Sequence, residues 1–139
     1  MSPPRLSFPP TARMKSPKDF QRAFRRGNRA RGDLLVVAVV ENGAGQTRLG
    51  LSIGKSVWKG AVQRNRVRRI FREAFRLSRP ELPAGLDIIM MAAGPGLKPG
   101  LEDTRRELLR LVPKAHGRYL AKLSREADEG SPSPPEPRA

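Results

Sequence analysis

Residues 61–76 read AVQRNRVRRIFREAFR and hold the most regular pattern in the chain. The large apolar residues recur three and four positions apart, the spacing of one face of an α-helix. At about 100° per residue they fall in a single arc, whose members are Val67, Ile70, Phe71, Ala74 and Phe75. The pattern predicts an amphipathic helix from Val57 to Leu77 that packs this arc against a core.

The opposite side of the predicted helix is strongly basic. It carries Asn65 and a row of arginines, with Arg68, Arg69, Arg72 and Arg76 at its centre and Arg64 and Arg66 on its flanks. A charged helix face is ordinarily a solvated row of ion pairs four residues apart. Here Glu73 is the one acidic residue in the stretch, so local ion pairs cannot neutralise the row. Nucleic-acid phosphates therefore explain it better than solvent does.

The whole chain has the same bias. Its 139 residues include 28 Lys and Arg against 13 Asp and Glu, which gives a net charge of +15. Such an excess predicts a polyanionic partner. Most of the basic residues are arginine, whose planar guanidinium binds phosphate oxygens bidentately, so a nucleic acid is favoured over a small acidic metabolite.

Missing residue types exclude several kinds of site. The chain has no cysteine, which excludes disulfides, thiol catalysis and thiolate zinc sites. Its single histidine, His116, cannot build a histidine metal site, so we expect no metal site in the protein. No apolar run approaches the roughly 20 residues of a membrane-spanning helix, and no signal segment follows the start. We expect a cytoplasmic protein without a membrane partner.

Both ends of the chain differ in composition from the rest. Residues 1–12 contain four prolines, and residues 126–139 combine four more with serine, glycine and acidic residues. This composition predicts two disordered tails around one folded domain at residues 13–125. The acidic C-terminal tail either folds back on the basic body or serves solubility.

A short helix is predicted after the N-terminal tail. Ser16 can cap it, and Asp19 places a carboxylate in its positive first turn. Phe20 and Phe24 then lie one turn apart on one side of the helix. Gly27 stands where the helix should end.

Two strand-like runs follow the first helix. Residues 34–40 read LLVVAVV without interruption, and residues 47–53 alternate between apolar and other positions. The turn sequence NGAG at residues 42–45 lies between them, so the pattern predicts a β-hairpin. The second strand presents Leu49, Leu51 and Ile53 on one face, and we expect the other face of the sheet to lie outside the core. A third short strand in this region is left open.

The second half of the chain completes the predicted elements. Leu86–Met91 has the pattern of a buried strand, and a last helix begins at about Leu101. Pro113 interrupts that helix, which is either kinked there or broken into two. The order α, β, β, α, β, α indicates an α+β fold with helices packed on a small sheet.

At this point the sequence resembles a known family. The stretch KGAVQRNRVRRIFRE at residues 59–73 resembles the Arg-Asn-Arg signature of the bacterial ribonuclease P protein. Four further segments occur in the same order as in that family: RMK leading into DFQRAF, the glycine at 27, LGLS with the lysine at 55, and PAGLDII. The likeness covers about residues 13–123. The resemblance implies an α-β-β-β-α-β-α sandwich with a left-handed β-α-β crossover.

The resemblance also implies a function. It indicates an RNA-binding subunit that assists a catalytic RNA in removing the 5′ leader from precursor tRNA, with no bond chemistry by the protein and no DNA partner. Mg²⁺ would be held by the RNA partner and substrate. The residues implied for binding the catalytic RNA are Arg64, Asn65, Arg66, Arg68, Arg69, Arg72 and Lys55. Those implied for the leader are Phe20, Phe24, Arg13 and Lys15, although the spacing of the two phenylalanines by itself favours ordinary core.

The chain departs from the family pattern at several positions. Ser56 replaces the second of two adjacent lysines, and the chain has one extra residue around residues 58–60 relative to the family pattern. Ala38 stands where an aromatic residue is common, and Ala92–Ala93 replace an expected basic residue. Two other interpretations remain: a structural RNA-binding protein such as a ribosomal protein, and a metal-dependent nuclease that acts alone, for which no convincing carboxylate cluster is present.

Overall fold

The computed structural model describes residues 10–54 and 60–129, which form a four-stranded sheet with helices on both faces. Along the chain the main elements are α1 (Pro17–Arg26), β1 (Asn28–Arg31), β2 (Leu35–Glu41), β3 (Arg48–Ser52), α2 (Ala61–Ser78), β4 (Leu86–Ala92) and α3 (Leu101–Glu129). Short 3₁₀ turns lie at Pro10–Ala12 and Arg79–Glu81. The order confirms the α+β class and the α-β-β-β-α-β-α sequence of elements.

Helix α1 begins and ends as predicted. The Ser16 side chain accepts a hydrogen bond from the Lys18 amide at 3.2 Å and so caps the first turn. Gly27 ends the helix with extended backbone, not in the left-handed conformation usual for a terminal glycine. A Cβ atom built on Gly27 would lie 2.7 Å from the carbonyl oxygen of Val39. Glycine is therefore required here because α1 ends directly against β2.

The predicted hairpin of β2 and β3 is wrong. The strand order is β1-β2-β4-β3, so β4 lies between them, antiparallel to β2 and parallel to β3. Strands β2 and β4 are buried at consecutive positions and, apart from Asp87 and the terminal Glu41, apolar, a pattern that suits central strands covered on both faces. The alternating β3 is an edge strand, joined to β4 by α2. The handedness of this crossover stays a prediction.

The third strand lies outside the region in which the sequence left it open. Strand β1 reads NRAR, and Ala30 is its only buried residue. It pairs with β2 as the opposite edge of the sheet. A four-residue strand with one apolar side chain has too little alternation to be recognised from sequence.

Two apolar layers cover the two faces of the sheet. The larger layer joins α2 and α3 to one face and includes Phe71, Phe75 and Leu108. The smaller layer covers the other face beneath α1 and includes Ala23, Ala38 and Ile89. The expectation that this second face lies outside the core is therefore wrong at the centre of the sheet.

The structure corrects the expected start of α2, the expected end of α3 and the expected start of the packed region, and it decides one alternative at Pro113. Gly60 is extended, so α2 as described begins at Ala61, while Val57 lies outside the described residues. Helix α3 is continuous through Pro113, which excludes a break there. It also continues to Glu129, past the expected domain end at residue 125. At the other end Ala12 is fully buried, so the packed region begins before residue 13.

Candidate nucleic-acid interface

Helix α2 separates its apolar and basic sides as predicted. Val67, Phe71, Ala74 and Phe75 are buried in the larger apolar layer, while Ile70 is half-buried against it. We call the basic side the arginine face; its residues are Arg64, Asn65, Arg66, Arg68, Arg69 and Arg72. Burial of the opposite stripe holds this face toward the surface.

The arginine face has an outward part and an inward part. Asn65, Arg66 and Arg69 are exposed, whereas Arg68 and Arg72 are half-buried. Arg68 donates from Nη1 to Asn65 Oδ1 at 3.1 Å and from Nη2 to the carbonyl oxygen of Ile53 at 3.1 Å. Asn65 thus orients an arginine one turn away, a role that the motif alone did not predict.

Arg76 has a different environment from the rest of the row. Its guanidinium donates two hydrogen bonds to the Glu73 carboxylate, at 2.8 and 3.1 Å. The hydrogen bond from Arg76 lowers the pKa of Glu73 below its ordinary value, so this carboxylate stays charged in mild acid. Glu73 therefore offsets positive charge at the C-terminal end of the basic row.

The arginine face meets α1 in a cleft of about 240 Å³. We call it the junction cleft; its lining residues are Arg13, Met14, Phe20, Leu49, Leu51, Arg68 and Arg72. The guanidinium groups come from the N-terminal segment and α2, and the apolar groups come from the N-terminal segment, α1 and β3. Basic and apolar groups together suit both the phosphate and the base of a single-stranded nucleotide.

The two phenylalanines of α1 are half-buried, so they are neither enclosed core nor free platforms. Both pack against the smaller apolar layer. Phe20 contributes to the junction cleft, and the guanidinium carbon of Arg29 lies 5.3 Å from the centre of the Phe24 ring. The second arrangement is a cation–π contact. Each ring thus lies beside arginine at the surface.

A second basic cleft of about 400 Å³ lies at the β1 edge of the sheet, and sequence reasoning missed it. We call it the edge cleft; its lining residues are Arg29, Ala30, Arg31, Val36, Met91, Ala92 and Arg118. Arg31 donates to the carbonyl oxygen of Ala93, and Arg118 donates to that of Arg29 at 2.6 Å. A strand places Arg29 and Arg31 on one face, but four residues are too few to identify NRAR as a strand from sequence, so no local signal indicated this cleft.

The remaining implied residues are less closely grouped. The backbone beside Arg13 pairs with β3, where the Met14 amide donates to the Leu49 carbonyl oxygen at 2.8 Å. Arg13 is exposed and lines the junction cleft. Lys15 is exposed in a wider groove that also contains Asp19 and Arg48. Lys55 lies outside the described residues, as do Ser56 and the lysine at position 59.

Within residues 10–54 and 60–129, no three or more His, Asp or Glu side chains come together in a way that could hold a metal ion. In the same part of the chain, no helix is both long and apolar enough to cross a membrane.

Comparisons with known proteins agree with one another. A family model described as Ribonuclease P matches residues 8–116. The ribonuclease P protein component of Natranaerobius thermophilus is 35% identical over 102 residues, which cover 73% of this chain and 88% of the relative. That of Photobacterium profundum is 34% identical over 121 residues, covering 87% and 98%.

Solved structures extend the likeness to the fold. The RNase P protein of Staphylococcus aureus superposes with a TM-score of 0.63 at 30% identity, covering 74% of this chain and 93% of that one. The RNase P protein of Thermotoga maritima superposes with a TM-score of 0.63 at 26% identity, covering 73% and 96%.

Proposed function

The chain belongs to the ribonuclease P protein family, and from this premise we propose which RNA binds to the arginine face and which binds on the α1 side of the molecule. A member of this family is the RNA-binding subunit of a ribonucleoprotein endoribonuclease that matures the 5′ end of tRNA. Its partner is the RNA subunit of ribonuclease P.

We propose that the arginine face binds the catalytic RNA. The observation that carries this proposal is the arrangement of α2, which buries one apolar stripe and presents Arg66 and Arg69 to solvent on the other side. Exposed guanidinium groups on a rigid helix can each engage a phosphate bidentately. Contacts from arginine to phosphate fix the position of a protein on a nucleic acid without reading its sequence, so the row is suited to a backbone contact more than to reading bases.

The 5′ leader of precursor tRNA would lie on the α1 side of the molecule. Support comes from the junction cleft, which Phe20 lines together with three arginines, and from Arg29, which lines the edge cleft and lies over the Phe24 ring. Aromatic rings bind unpaired bases with little sequence preference, and arginines hold the backbone. Arg13 would contribute to this surface from the N-terminal segment, and Lys15 would stand beside it in the adjoining groove.

The departures from the family pattern fit this arrangement. The position of Ala38 is fully buried beneath α1, so it offers no surface for a stacked base. Arg31 reaches from β1 to the carbonyl oxygen of Ala93, and it therefore brings positive charge to the place where the family pattern has a basic residue. The edge cleft would in this way retain its affinity for phosphate.

The protein's share of the reaction would be binding and orientation. Mg²⁺, which activates water and stabilises the leaving oxygen in phosphodiester hydrolysis, would be held by the catalytic RNA and the substrate. No residue of this chain is assigned to it. The protein would raise the affinity of the complex for substrate through its positive charge and its leader contacts.

A processing assay tests the proposal. Precursor tRNA is incubated at low Mg²⁺ with the catalytic RNA alone, with this protein alone, and with both. We expect efficient release of the leader only when both are present. Cleavage by the protein alone would indicate an independent nuclease, and no effect on the catalytic RNA would favour a structural RNA-binding role.

A further inference from the structure

A buried carboxylate lies beneath α1, on the face of the sheet opposite to α2. Asp87 is the second residue of β4, and its side chain has no exposed surface. Arg48 of β3 donates to it from Nε and Nη2, with both distances 2.7 Å, which is a bidentate pair. Asn42 adds a third donor to the same carboxylate at 2.9 Å. A buried charge requires such partners, because burial without them is strongly unfavourable.

This cluster continues into α1 through two side chains one turn apart. Asp19 Oδ2 lies 3.4 Å from Arg48 Nη1, and Arg22 Nη1 lies 3.9 Å from Asp87 Oδ2. Arg22 also donates to the carbonyl oxygen of Glu41 at the end of β2. The hydrogen bond to Asp87 raises the pKa of Arg48 above its ordinary value, so this guanidinium is charged at neutral pH. Three strands of the sheet are thus connected to one helix by charged groups.

Apolar packing alone holds α1 weakly. Ala23 is the only residue of α1 that is fully buried, and both phenylalanines remain half-exposed. A short helix with so little buried surface depends on additional contacts for its position. The charged cluster supplies them at its N-terminal half, next to Phe20.

We propose that Asp87 is a positioning residue for the leader site, because it holds α1, and with it both phenylalanines, in place above the sheet. The inference rests on the proposed role of α1 in leader binding. Asp87 itself is buried and touches no RNA. It acts through Arg48, which links it to Asp19 on the helix.

Asp19 is negatively charged, so its replacement separates a charge effect on RNA binding from an effect on the position of α1. Asp19→Asn removes a negative charge from a surface that binds RNA, so a purely electrostatic effect would tighten the binding of precursor tRNA. Loss of the contact to Arg48 would instead release α1 and weaken the binding of precursor tRNA. The matched control is Glu102→Gln, which removes the same charge from the first turn of α3, away from this cluster.

The experiment uses the holoenzyme reconstituted with its catalytic RNA, and it measures the ratio of affinities for precursor and mature tRNA. We expect Asp19→Asn to lower this ratio about two- to fivefold, the range that a partly exposed ion pair can supply. Asp87→Asn should lower it at least as much, and Glu102→Gln should leave it unchanged. Amide hydrogen exchange should accelerate over residues 17–26 in both cluster variants.

An unchanged or increased ratio for Asp19→Asn would overturn the inference, as would unchanged exchange over residues 17–26. Asp19→Asn keeps the test valid if Asp87→Asn fails to fold, because Asp19 is partly exposed. A wild-type holoenzyme that binds both tRNAs equally would instead refute the proposed leader role. The exchange rates would then still decide whether the cluster holds α1.

Discussion

Phe20 lies directly against the backbone of Gly50. A Cβ atom built on Gly50 would stand 2.8 Å from Phe20 Cζ and 3.0 Å from the sulfur of Met14. The absence of a side chain at this position of β3 is therefore what allows the ring to rest on the sheet. The contact also places Phe20 in the lining of the junction cleft, to which Arg68 and Arg72 also contribute.

Replacement of Gly50 by alanine should displace the Phe20 ring. We expect a loss of about 1–3 kcal/mol in the free energy of unfolding, the usual cost of overpacking, together with a lower preference for precursor over mature tRNA. Denaturant unfolding and affinity measurements on the holoenzyme check the two effects. Gly45→Ala is the matched control, since a Cβ there meets nothing within 4 Å. Equal effects of the two substitutions would contradict the packing argument.

Removal of both aromatic rings of α1 should affect precursor tRNA selectively. Phe20→Ala with Phe24→Ala is expected to weaken precursor binding about thirtyfold or more, since base–aromatic stacking contributes about 1–3 kcal/mol per base and two rings are removed. Binding of mature tRNA should be unchanged because it has no leader. The measurement compares the two affinities in the same holoenzyme preparation. An equal loss on both tRNAs would reject the leader role.

Loss of the outward arginines should weaken binding of the catalytic RNA and reduce its dependence on salt. Arg66→Ala with Arg69→Ala removes two exposed guanidinium groups, and each lost phosphate contact should lower the salt slope by about 0.7–0.9. The control Arg106→Ala with Arg110→Ala removes the same charge from exposed positions of α3. Titrations of the catalytic RNA with each double variant at several salt concentrations distinguish the two. The same slope change in both double variants would indicate net charge alone.

Neutralisation of Glu73 should tighten RNA binding. Glu73→Gln removes the carboxylate that pairs with Arg76, so we expect a few-fold higher affinity for the catalytic RNA and a steeper salt dependence. The pKa of Glu73 is lowered by Arg76, so its ion pair contributes to stability at neutral pH and is lost only as the pH falls below 4.5. The affinity difference between wild type and variant should disappear over the same acid range. A difference that persists there would point to a cause other than charge.

Glu107 of α3 should be important for stability and not for RNA binding. Its carboxylate accepts hydrogen bonds from the amides of Asp33, Leu34 and Leu35 at 2.9, 3.0 and 3.2 Å, which closes the turn before β2. Glu107→Ala leaves these donors without that acceptor and should cost about 1–3 kcal/mol. Thermal unfolding measures the loss, and Glu102→Ala is the control. A weaker affinity of the folded variant for RNA would contradict this separation of roles.

Local signals predicted the helices well. The cap at Ser16 depends on a contact within one helical turn, so neighbouring residues suffice to identify it. The end of α1 at Gly27 was also predicted, but the glycine is required there by the approach of β2. The buried stripe and the arginine face of α2 follow in the same way from a periodicity of 3.6 residues. Strand pairing was predicted less well, because the turn at residues 42–45 indicates a hairpin and says nothing of a later strand that enters between its arms.

The candidate site likewise combines features that local sequence predicted with features that depend on residues far apart in the chain. The motif indicated the arginine face, but nothing local indicated that Arg68 and Arg72 would share a cleft with Phe20. No sequence pattern indicated a positioning role for Asp87, because a single acid within an apolar strand has no periodicity of its own. Its partner Arg48 is 39 residues away along the chain.

The sequence by itself thus determined the basic character of the protein, the helix that presents the arginines, and the family to which the motif belongs. Each of these depends on composition or on residues within a few turns of one another. The tertiary structure alone decided that β4 separates β2 from β3, that the junction cleft exists, and that Asp87 lies beneath α1. These features arise because central, two-sided burial of β2 and β4 outweighs the local preference of the turn, and this brings distant charges and rings together.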